Sequence, residues 1–237
     1  MTPTRKDARI AGFLYLFITV TGVFNLMYAP SKLFVRGNAA ATASNILAHE
    51  SLFRVDLVVG VAGSVGFALL ALALYRLLEG VNRPQAVTMA VLVLVQIPQS
   101  FVSELNSLAA LVLVRGAEFL SVFDKPQREA LAMLFLQADH EATLVSQVFW
   151  GLWLFPLGLL VWRSGFLPRV LGGWLIVNGF AYLANAFTGL LAPQRLEIVS
   201  KITFPVLFGE LAFMLWLVIV GARPKPRGEP GPAAAAG

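Results

Sequence analysis

The sequence predicts an all-α membrane protein: a bundle of six transmembrane helices with short interfacial helices on the outer side. Three observations carry this. Of the 237 residues, 58% are hydrophobic and 13% charged, against about 25% charged in ordinary soluble domains. The mean hydropathy is +0.76. The polar residues are bunched between apolar runs, each close to the roughly 20 residues that a helix needs to cross a bilayer.

Span one covers residues 10–29, behind a basic start with Arg5, Lys6 and Arg9. A secretory signal also begins this way, but its apolar core has about 7–15 residues and ends at a small-residue cleavage site. The expectation is therefore a retained span. Span two covers 53–78 and closes on Tyr75-Arg76. Span three covers 86–114 with Pro98 inside it, and span four 143–162 with Pro156. Span five covers 170–191, and span six 202–222 with Pro205 near its start. Neighbouring helices and polar side chains can satisfy the carbonyls that such prolines free. The chain then divides into a cytoplasmic N-terminus (1–9), the six-helix domain (10–222) and a Pro/Gly-rich cytoplasmic tail (223–237) expected to be disordered.

Basic residues orient membrane proteins, with Lys and Arg favouring the cytoplasmic side. If the N-terminus is cytoplasmic, that side carries ten: Arg5, Lys6, Arg9, Arg76, Arg83, Arg163, Arg169, Arg223, Lys225 and Arg227. The other side carries eight: Lys32, Arg36, Arg54, Arg115, Lys125, Arg128, Arg195 and Lys201. The ten lie in tight turns and termini, so both termini are expected in the cytoplasm, in a bacterial inner membrane. This placement also explains the net charge of +5 without nucleic acid. There is no cysteine, which excludes disulfides, thiolate metal sites and cysteine nucleophiles.

Two segments on the outer side should be helical without spanning. Residues 38–56 are alanine-rich, with Thr42 or Ser44 as N-cap, and lead into span two. Residues 124–142 start with Asp124 as N-cap and repeat Leu131, Leu134, Phe135 and Ala138 at helical spacing. This second helix is expected to lie on span four or to continue into it.

The polar residues inside spans point to a site. In span three, Gln96, Gln99, Ser100, Ser103 and Ser107 share one helix face, bordered by Glu104 and Asn106. Such a face turns into the bundle or lines a polar pocket. Span five offers Asn178, Tyr182 and Asn185 on one face, span two begins with Arg54 and Asp56, and span one holds Tyr15, Thr19 and Asn25. In span six Glu210 interrupts FGELAFMLWLVIVGA, where a charge costs about 2.5–3.5 kcal/mol on insertion scales. Three roles are open to it: a carboxyl clamped by the Gln/Ser stripe, an ion pair with Arg54, or a proton acceptor or ligand contact.

Arg54, Asp56, Gln99, Ser103, Glu104, Asn178, Asn185 and Glu210 are thus the candidate ligand-binding set. A small or lipid-like ligand, or a partner subunit, is the expected occupant. The alternative is an intramembrane metal-dependent enzyme. The two histidines are each followed by glutamate, and His49, Glu50, His140 and Glu141 could supply imidazole and carboxylate ligands on the outer side. Transport by a dimer is a third reading. No phosphate-binding loop, dinucleotide fingerprint or nucleophile elbow is present, so the sequence defines neither a catalytic set nor a cofactor.

Five strings carry a resemblance: ARIAGFLYLF (8–17), AAATASNILAHESLFRVDL (39–57), ALALYRLLEGVNR (71–83), FWGLWLFPLGLLVWRSGFLPRVLG (149–172) and GELAFMLWLVIVG (209–221). Together they resemble, in order and over nearly the whole chain, the bacterial membrane family known as domain of unknown function 4386. The resemblance implies a compact bundle of about six spans. It draws attention to Asn45, Glu50, Arg54, His140, Arg163, Ser164, Pro168 and Glu210. The chain departs from the family's pattern at the acidic Asp139-His140-Glu141, because in that pattern small or aromatic residues follow the histidine.

Overall fold

The computed structural model describes residues 4–222; the tail whose disorder the sequence predicts lies outside them. Seven helices order the described residues: α1 (Arg5–Leu33), α2 (Ala39–Ala48), α3 (Glu50–Leu78), α4 (Arg83–Arg115), α5 (Lys125–Ser164), α6 (Arg169–Leu191) and α7 (Pro193–Ile219). All except α2 are long and apolar enough to cross a membrane. The protein is an all-α membrane bundle.

Short polar side chains start the helices by accepting from otherwise unpartnered N–H groups. Thr4 and Asp7 cap α1 reciprocally, Asn82 accepts from Gln85, and Asp124 forms a reciprocal pair with Gln127 at α5. The cap of α2 is Asn38, which accepts from Ala41 at 2.9 Å, rather than Thr42 or Ser44. Thr42 is buried instead and accepts from the Val35 amide at 3.0 Å. The chain breaks at His49, so residues 38–56 form the end of one helix and the start of another. By contrast, 124–142 continues unbroken into span four. The resulting 40-residue α5 is about 60 Å long, twice the roughly 30 Å hydrocarbon thickness.

Two helices lose regularity, each beside a proline. Pro30 has no N–H and crowds the carbonyl four residues earlier, and α1 widens to a π-helical turn over Phe24–Tyr28. Pro205 acts likewise in α7, which tightens to a 3₁₀ turn over Phe204–Leu207 before resuming at Phe208.

The six long helices form a ring in chain order, each packed on the next, and α1 closes it against α7. Arg5 donates to the Val220 carbonyl at 3.1 Å and Arg9 to that of Ile219 at 3.3 Å across this closure. α5 and α6 approach closely where Gly158 and Gly172 face each other's backbone. Six cylinders in a ring leave axial room for a seventh, which side chains must fill.

Two apolar cores fill it at different heights. The near-end core, beside the N-terminus, includes Tyr15, Leu74, Val93, Trp153, Leu157 and Phe213, with Phe67 packed on it. The far-end core includes Leu33, Ile46, Phe53, Leu111, Leu120 and Leu136. Between Phe53 and Phe67, α3 carries Asp56, Gly60 and Ser64. The corresponding stretch of α4 holds Gln96 to Ser107, and that of α5 holds Asp139 to Gln147. A polar layer is therefore sandwiched between two apolar cores.

Candidate functional site: an acidic layer between two cores

The wide turn of α1 aims Asn25 across at α3, where its amide donates to both the Asp56 carboxylate (2.6 Å) and the Asp56 carbonyl (2.9 Å). Next to Asp56 the Glu104 carboxylate lies directly against the Cα of Gly60, in space a Cβ would occupy. On α5, Asp139 accepts from Ser107 at 3.5 Å and from Ser103. The three carboxylates are near enough to repel one another. All three are half-buried.

Among the described residues no lysine or arginine forms an ion pair with them, and His140 is the basic side chain close enough to act on Asp139. Among the described residues the ion pairs are Arg54–Glu50 (2.7 Å), Arg115–Glu50 (3.7 Å), Lys125–Glu129 (3.8 Å) and Lys201–Glu197 (2.6 Å). Arg54 thus turns away from the layer, to a glutamate one helical turn earlier, and pairs with neither Asp56 nor Glu210.

Gln99 links α4 to α5, donating to the Ala142 carbonyl at 2.8 Å and accepting from Ser146 at 3.0 Å. One turn away, Gln96 is 2% exposed and its Nε2 has no acceptor; the buried Oε1 of Gln147 has no donor.

Glu210 sits elsewhere, in the first turn after the break in α7. The Tyr15 hydroxyl donates to it at 2.5 Å, and Tyr182 and Asn178 approach the same carboxyl from α6. Phe213 and Trp153 flank Tyr15, and Trp150 meets Tyr182 edge-on. The clamp is made by tyrosines and not by the Gln/Ser stripe, because the stripe faces α5 while Glu210 faces α1 and α6. Replacing Tyr15 with phenylalanine strands a polar group and is expected to cost about 1–3 kcal/mol. Glu210→Gln keeps an acceptor for the hydroxyl and should cost less. Thermal unfolding of the two variants in detergent checks the ranking.

Asn178 and Asn185 serve the broken helix. With both ends of its amide satisfied, Asn178 donates to the Val206 carbonyl and accepts from the Glu210 N–H at 3.2 Å. Trp174 also donates to Val206, at 2.9 Å. Asn185 donates to Thr203 at 2.7 Å and accepts from Ser200 at 2.8 Å. The eight residues expected to share one pocket therefore occupy separate places. Asp56, Gln99, Ser103 and Glu104 line the layer, Asn178, Asn185 and Glu210 hold α7, and Arg54 is exposed.

The metal set does not assemble. His49, His140 and Glu141 are exposed, Glu50 is held by two arginines, and no group of three or more His, Asp or Glu side chains is placed to hold a metal among the described residues. Other residues marked by the resemblance are structural. Asn45 donates to the Leu33 carbonyl at 3.4 Å. The buried Ser164 accepts from Leu167 in the turn that ends at Pro168, the N-cap of α6.

Sequence reasoning missed Asp139 as a member of the acidic set. Its signal was there: Asp139, Ala142 and Ser146 recur at helical spacing and meet Ser107 and Gln99. It was left out of both candidate sets, while the neighbouring His140 and Glu141 were assigned to the outer side as metal ligands.

Fold and site together define a polytopic helical membrane protein with an acidic interior layer. Within that class, the chain belongs to the family described as domain of unknown function (DUF4386), whose sequence profile matches residues 10–221. An uncharacterized protein of Archaeoglobus fulgidus is 34% identical over 91 residues, which are 37% of this chain and 51% of the relative. The chain thus matches about half the length of that relative. No solved structure matches.

Proposed function

We propose that the protein binds a small, lipid-like cation inside the membrane, holding its charge against Asp56, Glu104 and Asp139. The carrying observation is that these three carboxylates share one half-buried layer with no lysine or arginine among the described residues paired to them. Unpaired charge in such a medium is costly, and a cationic ligand removes the repulsion among the three. Asn25, Ser103 and Ser107 hold two of the carboxylates in place, so the charge is preorganised. The near end, with Arg5, Lys6, Arg9, Arg76, Arg83, Arg163 and Arg169 at short turns and the N-terminus, is the cytoplasmic side in this reading. The membrane is the bacterial plasma membrane.

The test is equilibrium binding of labelled tetraphenylphosphonium to the protein in lipid nanodiscs. Saturable binding is expected, weakened about tenfold, or 1.4 kcal/mol, by each of Asp56→Asn, Glu104→Gln and Asp139→Asn. Absence of saturable binding, or wild-type affinity in the triple variant, overturns the reading.

A further inference from the structure

The far end of the bundle holds a cavity of about 320 Å³ in the corner between α2, α4 and α5, apart from the acidic layer. Because α2 buries Ile46 in the far-end core, its neighbouring face turns Ser44 and Leu47 toward the cavity. α4 adds Leu113, and the first turns of α5 add Lys125, Arg128 and Glu129. Ser44, Leu47 and Lys125 are exposed, so the cavity opens at the surface.

Its charges do not cancel. Lys125 pairs with Glu129 at 3.8 Å, whereas among the described residues the Arg128 guanidinium joins no ion pair. Arg128 rests on the backbone of Gly116, in space a Cβ would take. Gly116 ends α4 with a φ of 70°, a left-handed turn that favours glycine and so leaves room for the guanidinium. Glu118 and Asp124 lie in the same connection but outside the cavity lining, and Asp124 is engaged in accepting from the Gln127 amide at 2.8 Å. The cavity therefore carries a surplus of one positive charge.

The connection also fixes its level. Phe119 is 73% exposed and Val122 80% exposed. Large apolar side chains uncovered at the end of a membrane bundle belong against the lipid interface, which brings the cavity to the height of the headgroups. Apolar wall beside one surplus cation suits an amphiphile with a singly negative head. A phosphodiester has that charge, and its oxygens suit both the fork of Arg128 and the Ser44 hydroxyl. A zwitterionic head would bring its own ammonium and leave the surplus in place. The volume is at the low end for ligand pockets, enough for a headgroup and too small for a whole lipid.

We infer that this cavity binds the phosphodiester headgroup of an anionic lipid of the phosphatidylglycerol type, with Arg128 as its charge partner. The site is independent of the cation reading of the acidic layer.

The test is native mass spectrometry of the full chain in detergent, over matched concentration series of dioleoyl phosphatidylglycerol and dioleoyl phosphatidylethanolamine. Wild type is expected to retain the first at about tenfold lower concentration than the second, and Arg128→Gln to retain both about equally. Arg36→Gln removes an exposed charge from the same end but outside the cavity, and should keep the wild-type ratio. Gel filtration confirms each fold. Ser44→Phe fills the cavity without changing its charge; it should also abolish the preference, and it stands in if Arg128→Gln does not fold. Equal retention of the two lipids by wild type overturns the inference, as does a preference that survives in Arg128→Gln or Ser44→Phe. A loss as large in Arg36→Gln as in Arg128→Gln overturns it too, because diffuse surface charge would then hold the lipid. Displacement of the lipid by equimolar sn-glycerol 3-phosphate would overturn the lipid assignment and make this a site for soluble phosphate esters.

Discussion

Trp153→Ala is expected to destabilise the protein by about 3 kcal/mol, near the low end of the range for removing a large buried aromatic. Trp153 is 1% exposed and stands in the axial space of the ring. There its indole meets Tyr15 at 6.2 Å and Phe67, edge-on, at 5.4 Å. Two helices, α1 and α3, therefore rest on one side chain of α5. The low end applies because lipid is as apolar as the interior, so that the transfer gain is small and packing dominates. What the alanine loses is van der Waals contact across a hole that the ring cannot close. Trp153→Phe keeps part of that contact and should cost about half as much. Unfolding curves in mixed detergent micelles measure both, and a loss under about 1 kcal/mol for the alanine variant would contradict the load placed on this residue.

Gly172→Ala should have an effect of similar size from a single added methyl. A Cβ there would stand 2.6 Å from the Gly158 carbonyl oxygen and 2.7 Å from the Trp162 nitrogen. Both obstacles are backbone atoms, which cannot rotate aside, so α5 and α6 must separate along the longest contact in the fold. Overpacking costs typically about 1–3 kcal/mol, and this case belongs at the top. Gly22→Ala is the control, since nothing lies within 4 Å of its Cβ position. Filling a helical glycine there should be neutral or mildly stabilising. Equal behaviour of the two variants would mean that the close approach is not needed.

The sequence made the six spans and their order legible, because hydropathy over about 20 residues reports directly what lipid requires. It also made Asp124 legible as a cap and Gln99, Ser103 and Glu104 as inward-facing. Other features were hidden for identifiable reasons. The polar 124–142 segment looks like a separate surface helix because hydropathy is blind to a helix that runs on past the membrane. The aim of Asn25 depends on the extra backbone of the π turn, which shifts the face of every residue beyond it. The partners of Glu210 lie on helices far apart in the chain, and helical periodicity relates only residues on one helix. Asp139 was lost through its company: a run of three polar residues reads as solvated, yet only its first member turns into the bundle.

The order of the ring also sets a timetable. Tyr15 and its partner Glu210 are 195 residues apart, and at about 5–20 residues per second α1 waits roughly 10–40 s for α7 to be made. In that interval five helices stand as an open horseshoe with the Tyr15 hydroxyl uncovered on one flank. The α1–α7 seam is then the last joint formed during biogenesis.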